Sequence, residues 1–106
     1  MSFITGANLL EAVTLAAVAR EEKGAYGYQI TQQITRVLAL SESTLYPVLR
    51  RLQKDECLDV YDVSYNGRLR RYYRITERGR KRLQEFDEEW KEMEKINAFI
   101  RGGEES

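Results

Sequence analysis

Ser41-Glu-Ser-Thr-Leu-Tyr-Pro-Val-Leu-Arg-Arg-Leu-Gln-Lys54, followed after a short alternating segment by Asn66-Gly67-Arg68-Leu-Arg-Arg-Tyr-Tyr-Arg-Ile-Thr76, decides how this chain folds. In the first run Leu45, Leu49 and Leu52 recur at helical spacing and make one buried stripe. Ser43, Thr44, Tyr46, Arg50 and Lys54 fall on other faces. Either Ser41 or Ser43 can cap the helix by accepting from its free N–H groups. The choice sets the cost of Pro47. A cap at Ser43 sacrifices only the first intrahelical hydrogen bond, whereas a cap at Ser41 moves the loss one turn deeper.

The second run reads as the return strand of a hairpin. If Asn66-Gly67 is a two-residue turn, Tyr65 faces Arg68, Val63 faces Arg70 and Tyr61 faces Tyr72. The same register sets Asp62 against Arg71, Val60 against Tyr73, Asp59 against Arg74 and Leu58 against Ile75. Two acid–arginine pairs and two apolar pairs then form, each worth about 0.2–1 kcal/mol. A slip of one residue loses all of them. Leu58, Val60, Tyr73 and Ile75 are expected to face the core. Tyr61, Tyr65, Arg68, Arg70, Tyr72 and Arg74 are expected to face outward. Arg68 and Arg70 lack an acidic neighbour, which marks them for an outside partner, while Arg71 and Arg74 are assigned to holding the hairpin.

Composition sets the outer limits. The 106 residues carry 17 basic and 17 acidic side chains and no His. That zero balance hides an asymmetry. Residues 40–82 hold eleven basic against six acidic groups, and residues 83–106 hold three against eight. A basic centre beside an acidic tail points to a polyanion met by one part of the chain only. Lack of His removes the commonest metal ligand and general base, so zinc and most hydrolytic chemistry are disfavoured, and no metal or cofactor is expected. Cys57 is alone, near a helix end with no activating base; it reads as a small buried apolar residue in a reducing cytoplasm. No run approaches the roughly 18 apolar residues of a membrane span, and no signal peptide is evident.

Around this centre lie further helices. Thr5–Glu22 is rich in Ala and Leu, and its apolar residues nearly encircle it, so it is expected to be buried on more than one side. In a chain this short a second subunit is the natural cover. Ile30, Ile34 and Val37 or Leu38 predict a helix over about 28–38. Thr76 can cap a final helix of about 25 residues, ending near Ile100 or Arg101 before Gly102-Gly103. Positions 83, 86, 90, 93, 97 and 100 advance by three and four alternately, a coiled-coil-like seam with Asn97 in it. The fold class predicted is mainly α with a small β-hairpin: a winged helix-turn-helix over residues 1–75, its first helix also dimerising, and a dimerisation helix with acidic tail over 76–106.

Ser43-Thr44-Leu45-Tyr46-Pro47-Val48-Leu49-Arg50-Arg51-Leu52, Gly67-Arg68-Leu69-Arg70-Arg71-Tyr72-Tyr73, Ile75-Thr76-Glu77-Arg78-Gly79 and Tyr26-Gly27-Tyr28-Gln29-Ile30 together resemble the PadR family of bacterial transcriptional regulators, in its short form. The resemblance spans nearly the whole chain, with a short loop between the wing strands as a departure. It implies a homodimer joined through its first and last helices that binds a pseudo-palindromic operator in double-stranded DNA. It places the recognition helix at about 43–55 and the wing at 58–75. The implied DNA contacts are Ser43, Thr44, Tyr46, Arg50, Arg70 and Arg71, to which the hairpin register adds Arg68. Some relatives stack a flat aromatic effector on a Trp of the last helix, so Trp90, with Phe86 and Met93, becomes the expected effector site. The competing reading is a protein–protein adaptor that turns the same Arg/Tyr face on an acidic partner, since both residue types are enriched at protein interfaces.

Overall fold

The computed structural model describes residues 6–103. Four helices and three strands follow one another: α1 (Gly6–Ala19), β1 (Ala25–Tyr26), α2 (Gly27–Ile34), α3 (Glu42–Lys54), β2 (Leu58–Tyr65), β3 (Arg68–Ile75) and α4 (Glu77–Ile100). The helix expected from Thr5 to Glu22 is α1; its first expected residue lies outside the described residues, and its regular turns stop at Ala19. The helix expected to reach Leu38 stops four residues earlier, at Ile34. There the Thr35 hydroxyl donates to the Gln32 carbonyl at 3.0 Å, and the amides of Val37 and Leu38 both turn back to Ile34. The chain then folds so that Leu38 and Leu40 pack on the core.

Ser41 is the cap of α3, its hydroxyl accepting from the Thr44 amide, so Pro47 stands in the second helical turn rather than the first. The far end of α3 closes with the Cys57 amide on the Leu52 carbonyl at 2.8 Å and the Glu56 amide on Gln53 at 3.0 Å. This is the Schellman pattern, which needs a left-handed residue after the cap, and here Glu56 supplies it at φ 62°.

The hairpin adopts the register read from the sequence in all eight pairs, from Leu58↔Ile75 to Tyr65↔Arg68. Asn66 and Gly67 both have positive φ, as the tight hairpin turn requires. A third strand was not foreseen. Two-residue β1 pairs with β3, Ala25↔Tyr73 and Tyr26↔Tyr72, giving the order β1-β3-β2. The hairpin is thereby sewn to the loop ahead of α2.

The core joins Leu15 and Val18 of α1, Ile30 and Ile34 of α2, Leu45, Leu49 and Leu52 of α3, and Leu58, Tyr73 and Ile75 of the sheet. Gly79 in the first turn of α4 lies against the Cys57 carbonyl and the Ile75 side chain, where a Cβ would collide with backbone. Thr76 caps α4 through the Gly79 amide at 3.0 Å, and its hydroxyl also donates to the Glu56 carbonyl at 2.7 Å. These contacts fix the direction in which α4 leaves the body. It ends at Ile100, with Arg101 as its cap, and the left-handed backbone of Gly102 (φ 82°) turns the chain away. The molecule measures 59 Å along its longest axis against 26 and 21 Å on the others.

Candidate nucleic-acid interface

Burial of Leu45, Val48, Leu49 and Leu52 turns the opposite side of α3 to solvent. Ser43, Thr44, Tyr46 and Arg50 are all exposed there, with Gln53 and Lys54 one turn further on. The first-turn hydroxyls converge on the cap, Ser41 Oγ standing 3.0 Å from Ser43 Oγ and 3.1 Å from Thr44 Oγ1. Tyr46 lies across the start of α2, with its hydroxyl 2.9 Å from where a side chain on Gly27 would begin. A side chain at Gly27 would require the Tyr46 ring to shift. Arg51 points the other way, its Nε donating to Glu11 of α1 at 2.8 Å, so it braces the helix from behind.

Alternation along β2 and β3 divides the hairpin into two faces. Beyond the core the face shared with Tyr73 carries Arg71, which pairs with Asp62 at 3.6 Å. Burial pushes the Tyr73 phenol up, an effect that the nearby Arg71 and Arg50 cations only partly offset. Arg71, Arg50 and Tyr46 thus gather around one hydroxyl at the junction of α3 and the sheet. The result is a cleft of about 510 Å³ between α3 and the hairpin, lined by Tyr26, Gly27, Tyr28, Glu42, Tyr46, Arg50, Gln53, Arg70, Arg71 and Tyr73.

The opposite face is a continuous stack. The Tyr61 hydroxyl donates to the Lys23 carbonyl, Tyr61 stacks on Tyr72 at 5.7 Å, and Tyr72 meets Tyr26 edge-on at 5.6 Å. The Arg70 guanidinium then lies 4.1 Å from the Tyr26 ring centre and 3.8 Å from that of Tyr65. A hydrogen bond with Tyr72 holds Arg70 still more firmly in its charged form. Arg74 turns to the Tyr61 ring at 5.5 Å, and among the described residues no ion pair with Asp59 forms. The acid–arginine pairing expected at Asp62–Arg71 therefore has geometry, and the one expected at Asp59–Arg74 does not.

Of the residues singled out in the sequence, Tyr46, Arg50, Arg70 and Arg71 line one cleft. Ser43 and Thr44 sit on the α3 turn beside it, and Arg68 projects at the hairpin tip with Tyr65, Asn66 and Leu69. Arg71 keeps the expected pairing with Asp62, and Arg70, which has no acidic neighbour, lies between two aromatic rings; both line the cleft. Tyr26, Tyr28 and Gln53 also line it and were not expected there. Their only signal was Tyr26-Gly27-Tyr28, two aromatics around a glycine, whose purpose becomes clear once Tyr46 lies over that glycine.

A second concavity lies between α1 and α4. Ala12, Val13, Ala16, Leu83, Phe86 and Trp90 line a mainly apolar groove of about 580 Å³. Phe86 and Trp90 stack at 6.4 Å, and Trp90 remains 45% exposed. Met93, expected beside them, does not line the groove. Glu11 of α1 links α3 and α4, pairing with Arg51 of α3 and with Arg82 of α4 at 3.6 Å; Arg82 also bonds Asp55 at 3.2 Å.

Residues 15–85 match the model of the transcriptional regulator PadR-like family. The chain is 42% identical over 88 residues to uncharacterized protein X of Lysinibacillus sphaericus, covering 76% of this chain and 80% of that protein. It is 35% identical over 80 residues to transcriptional regulator Rv3488 of Mycobacterium tuberculosis, covering 74% and 72% respectively. Among solved structures, smu.1704 from Streptococcus mutans UA159 superposes with a TM-score of 0.80 at 34% identity, covering 100% of this chain and 99% of that one.

Proposed function

Because this chain belongs to the PadR-like family of transcriptional regulators, we propose that it is a homodimeric repressor, acting in the cytoplasm, that reads a pseudo-palindromic operator in double-stranded DNA. The α3 face bearing Ser43, Thr44, Tyr46 and Arg50 enters the major groove, whose floor distinguishes all four base pairs. The hairpin lies alongside, Arg68 at its tip and Arg71 halfway along it meeting backbone phosphates. Residues 1–75 do the reading and residues 76–106, with α1, do the pairing. The observation that carries this reading is the cleft in which Arg50 of the helix and Arg71 of the hairpin converge on Tyr46 and Tyr73. Two cations at the junction of a helix and a two-stranded ribbon suit a phosphodiester strand passing between them.

Pairing would place the reading faces of two chains on successive turns of one DNA side, about 34–36 Å apart. The exposed Trp90 and the half-buried Phe86 in the α1–α4 groove supply the flat apolar surface on which a small aromatic effector would stack, relieving repression. A mobility-shift experiment with DNA from upstream of the chain's own gene tests the reading. The unaltered chain is expected to shift that fragment and not a scrambled one, and Arg50→Ala with Arg71→Ala is expected to abolish the shift at physiological salt. A chain that shifts no DNA even at low salt would instead be the adaptor, its Arg/Tyr face meeting an acidic protein.

A further inference from the structure

The hairpin reaches past the body with only its own two strands. β1 stops at Tyr26, opposite Tyr72, so among the described residues β3 from Arg71 to the tip has β2 as its only strand neighbour. A two-stranded ribbon in water is marginal by itself. Yet any DNA contact made by its tip depends on where the ribbon points. Something must carry the order of the body outward.

We infer that Tyr26 is a positioning residue for the hairpin: its ring and that of Tyr65 grip the Arg70 side chain as a strut between the helical body and the tip. The base of the strut is held at several points. Tyr26 is paired in the sheet, caps α2, and its amide donates to Gln29 Oε1 at 3.1 Å. Its ring meets Tyr72 edge-on, and Tyr72 rests on Tyr61, which is anchored through its hydroxyl to the α1–β1 loop. The outer end is Tyr65, the last residue of β2 before the turn. Arg70 sits two residues tipward of Tyr72 on the same face and diagonally across from Tyr65, within reach of a long side chain. Its guanidinium lies 4.1 Å from the ring behind it and 3.8 Å from the ring ahead. A planar cation between two aromatic faces stacks as an ammonium does not. Arg70 therefore acts on DNA through the angle at which it holds Arg68 and the turn, in addition to any phosphate it meets itself.

The inference rests on the DNA-binding reading for its consequence, although the strut is measurable without DNA. Hydrogen exchange is followed in the outer hairpin, residues 62–71, for the unaltered chain, Tyr26→Leu, Tyr26→Phe, Arg70→Met and the Leu/Met double variant. Tyr26→Leu and Arg70→Met are each expected to speed exchange about fivefold. The double variant should be no faster than either single one, because both break the same interaction, and Tyr26→Phe should match the unaltered chain. Operator affinity should fall about fivefold in Tyr26→Leu and be retained in Tyr26→Phe. Unchanged exchange in the single variants, or effects that multiply in the double, would overturn the strut. If Tyr26→Leu fails to fold, Tyr65→Leu takes its place in the cycle with the same expectations. Accelerated exchange in a chain that binds no DNA would sink the proposed function and leave the strut standing. Unchanged exchange beside intact operator binding would do the reverse.

Discussion

The end of the molecule that holds α2, α3 and the hairpin closes over its own apolar residues, with Ile30, Leu45, Leu49 and Leu52 wholly buried. Along α4, among the described residues, Gly79 alone is buried, while Trp90, Phe99 and Ile100 are 45%, 74% and 74% exposed. The first region has a buried core of its own, although Val37 and Leu69 at its margins are 76% and 74% exposed. The second leaves its apolar seam without one fully buried large side chain. Because apolar area removed from water is worth about 25 cal/mol per Å², exposing such a seam is a cost that a second copy of α1 and α4 would recover. Under the proposed function the first region would read DNA and the second would pair, in a molecule 59 Å along its longest axis.

Mutations break the comparison in proportion to burial. Leu49→Ala in the closed region is expected to cost about 3 kcal/mol in denaturant unfolding. Phe99→Ala, measured at concentrations too low for association, should stay within about 0.5 kcal/mol. A comparable loss at both positions would mean that α4 is packed within its own chain. Trp90→Ala should weaken self-association by about 2 kcal/mol, roughly thirtyfold, in sedimentation equilibrium while leaving helix content intact. Unaltered association would remove Trp90 from the interface.

The two regions meet at Glu11, which holds arginines from both α3 and α4. Glu11→Ala is expected to cost about 1 kcal/mol at low salt and less at high salt, since Arg51 and Arg82 are partly open to solvent. A loss independent of salt would point to packing rather than charge. The smallest change is a gain. Glu56 holds a left-handed backbone that favours glycine, so Glu56→Gly should stabilise the reading end by about 0.5 kcal/mol in thermal unfolding.

Legibility in the sequence follows the same division. The hairpin register was readable because two acid–arginine pairs, two apolar pairs and one Asn-Gly turn agree on it, and one slip spoils them together. The buried stripe of α3 and the cap, length and glycine stop of α4 were readable for a like reason: each rests on local spacing. What escaped depends on residues distant in sequence. Two-residue β1 is too short to leave a periodic trace, and it alone brings Tyr26 to Tyr72 and then to Arg70. Sorting arginines by acidic neighbours therefore did not reveal the aromatic partners of Arg70, nor that Arg74 would turn to Tyr61 instead of Asp59. The left-handed Glu56 had no glycine to announce it, and the early end of α2 followed from hydroxyl-to-carbonyl bonding that periodicity does not register.

The division of labour is tested most directly by titrating operator DNA with the unaltered chain and with Arg50→Ala, Arg71→Ala and Lys95→Ala over a salt series. The plot of log affinity against log salt should be steep for the unaltered chain. It should flatten by about 0.9 for each phosphate left without its cation in Arg50→Ala or Arg71→Ala. Lys95→Ala, an exposed cation on the arm, should leave the slope as it was. Slopes that stay equal in all four proteins, or that flatten only with the arm variant, would contradict the assignment of DNA reading to the cleft between α3 and the hairpin.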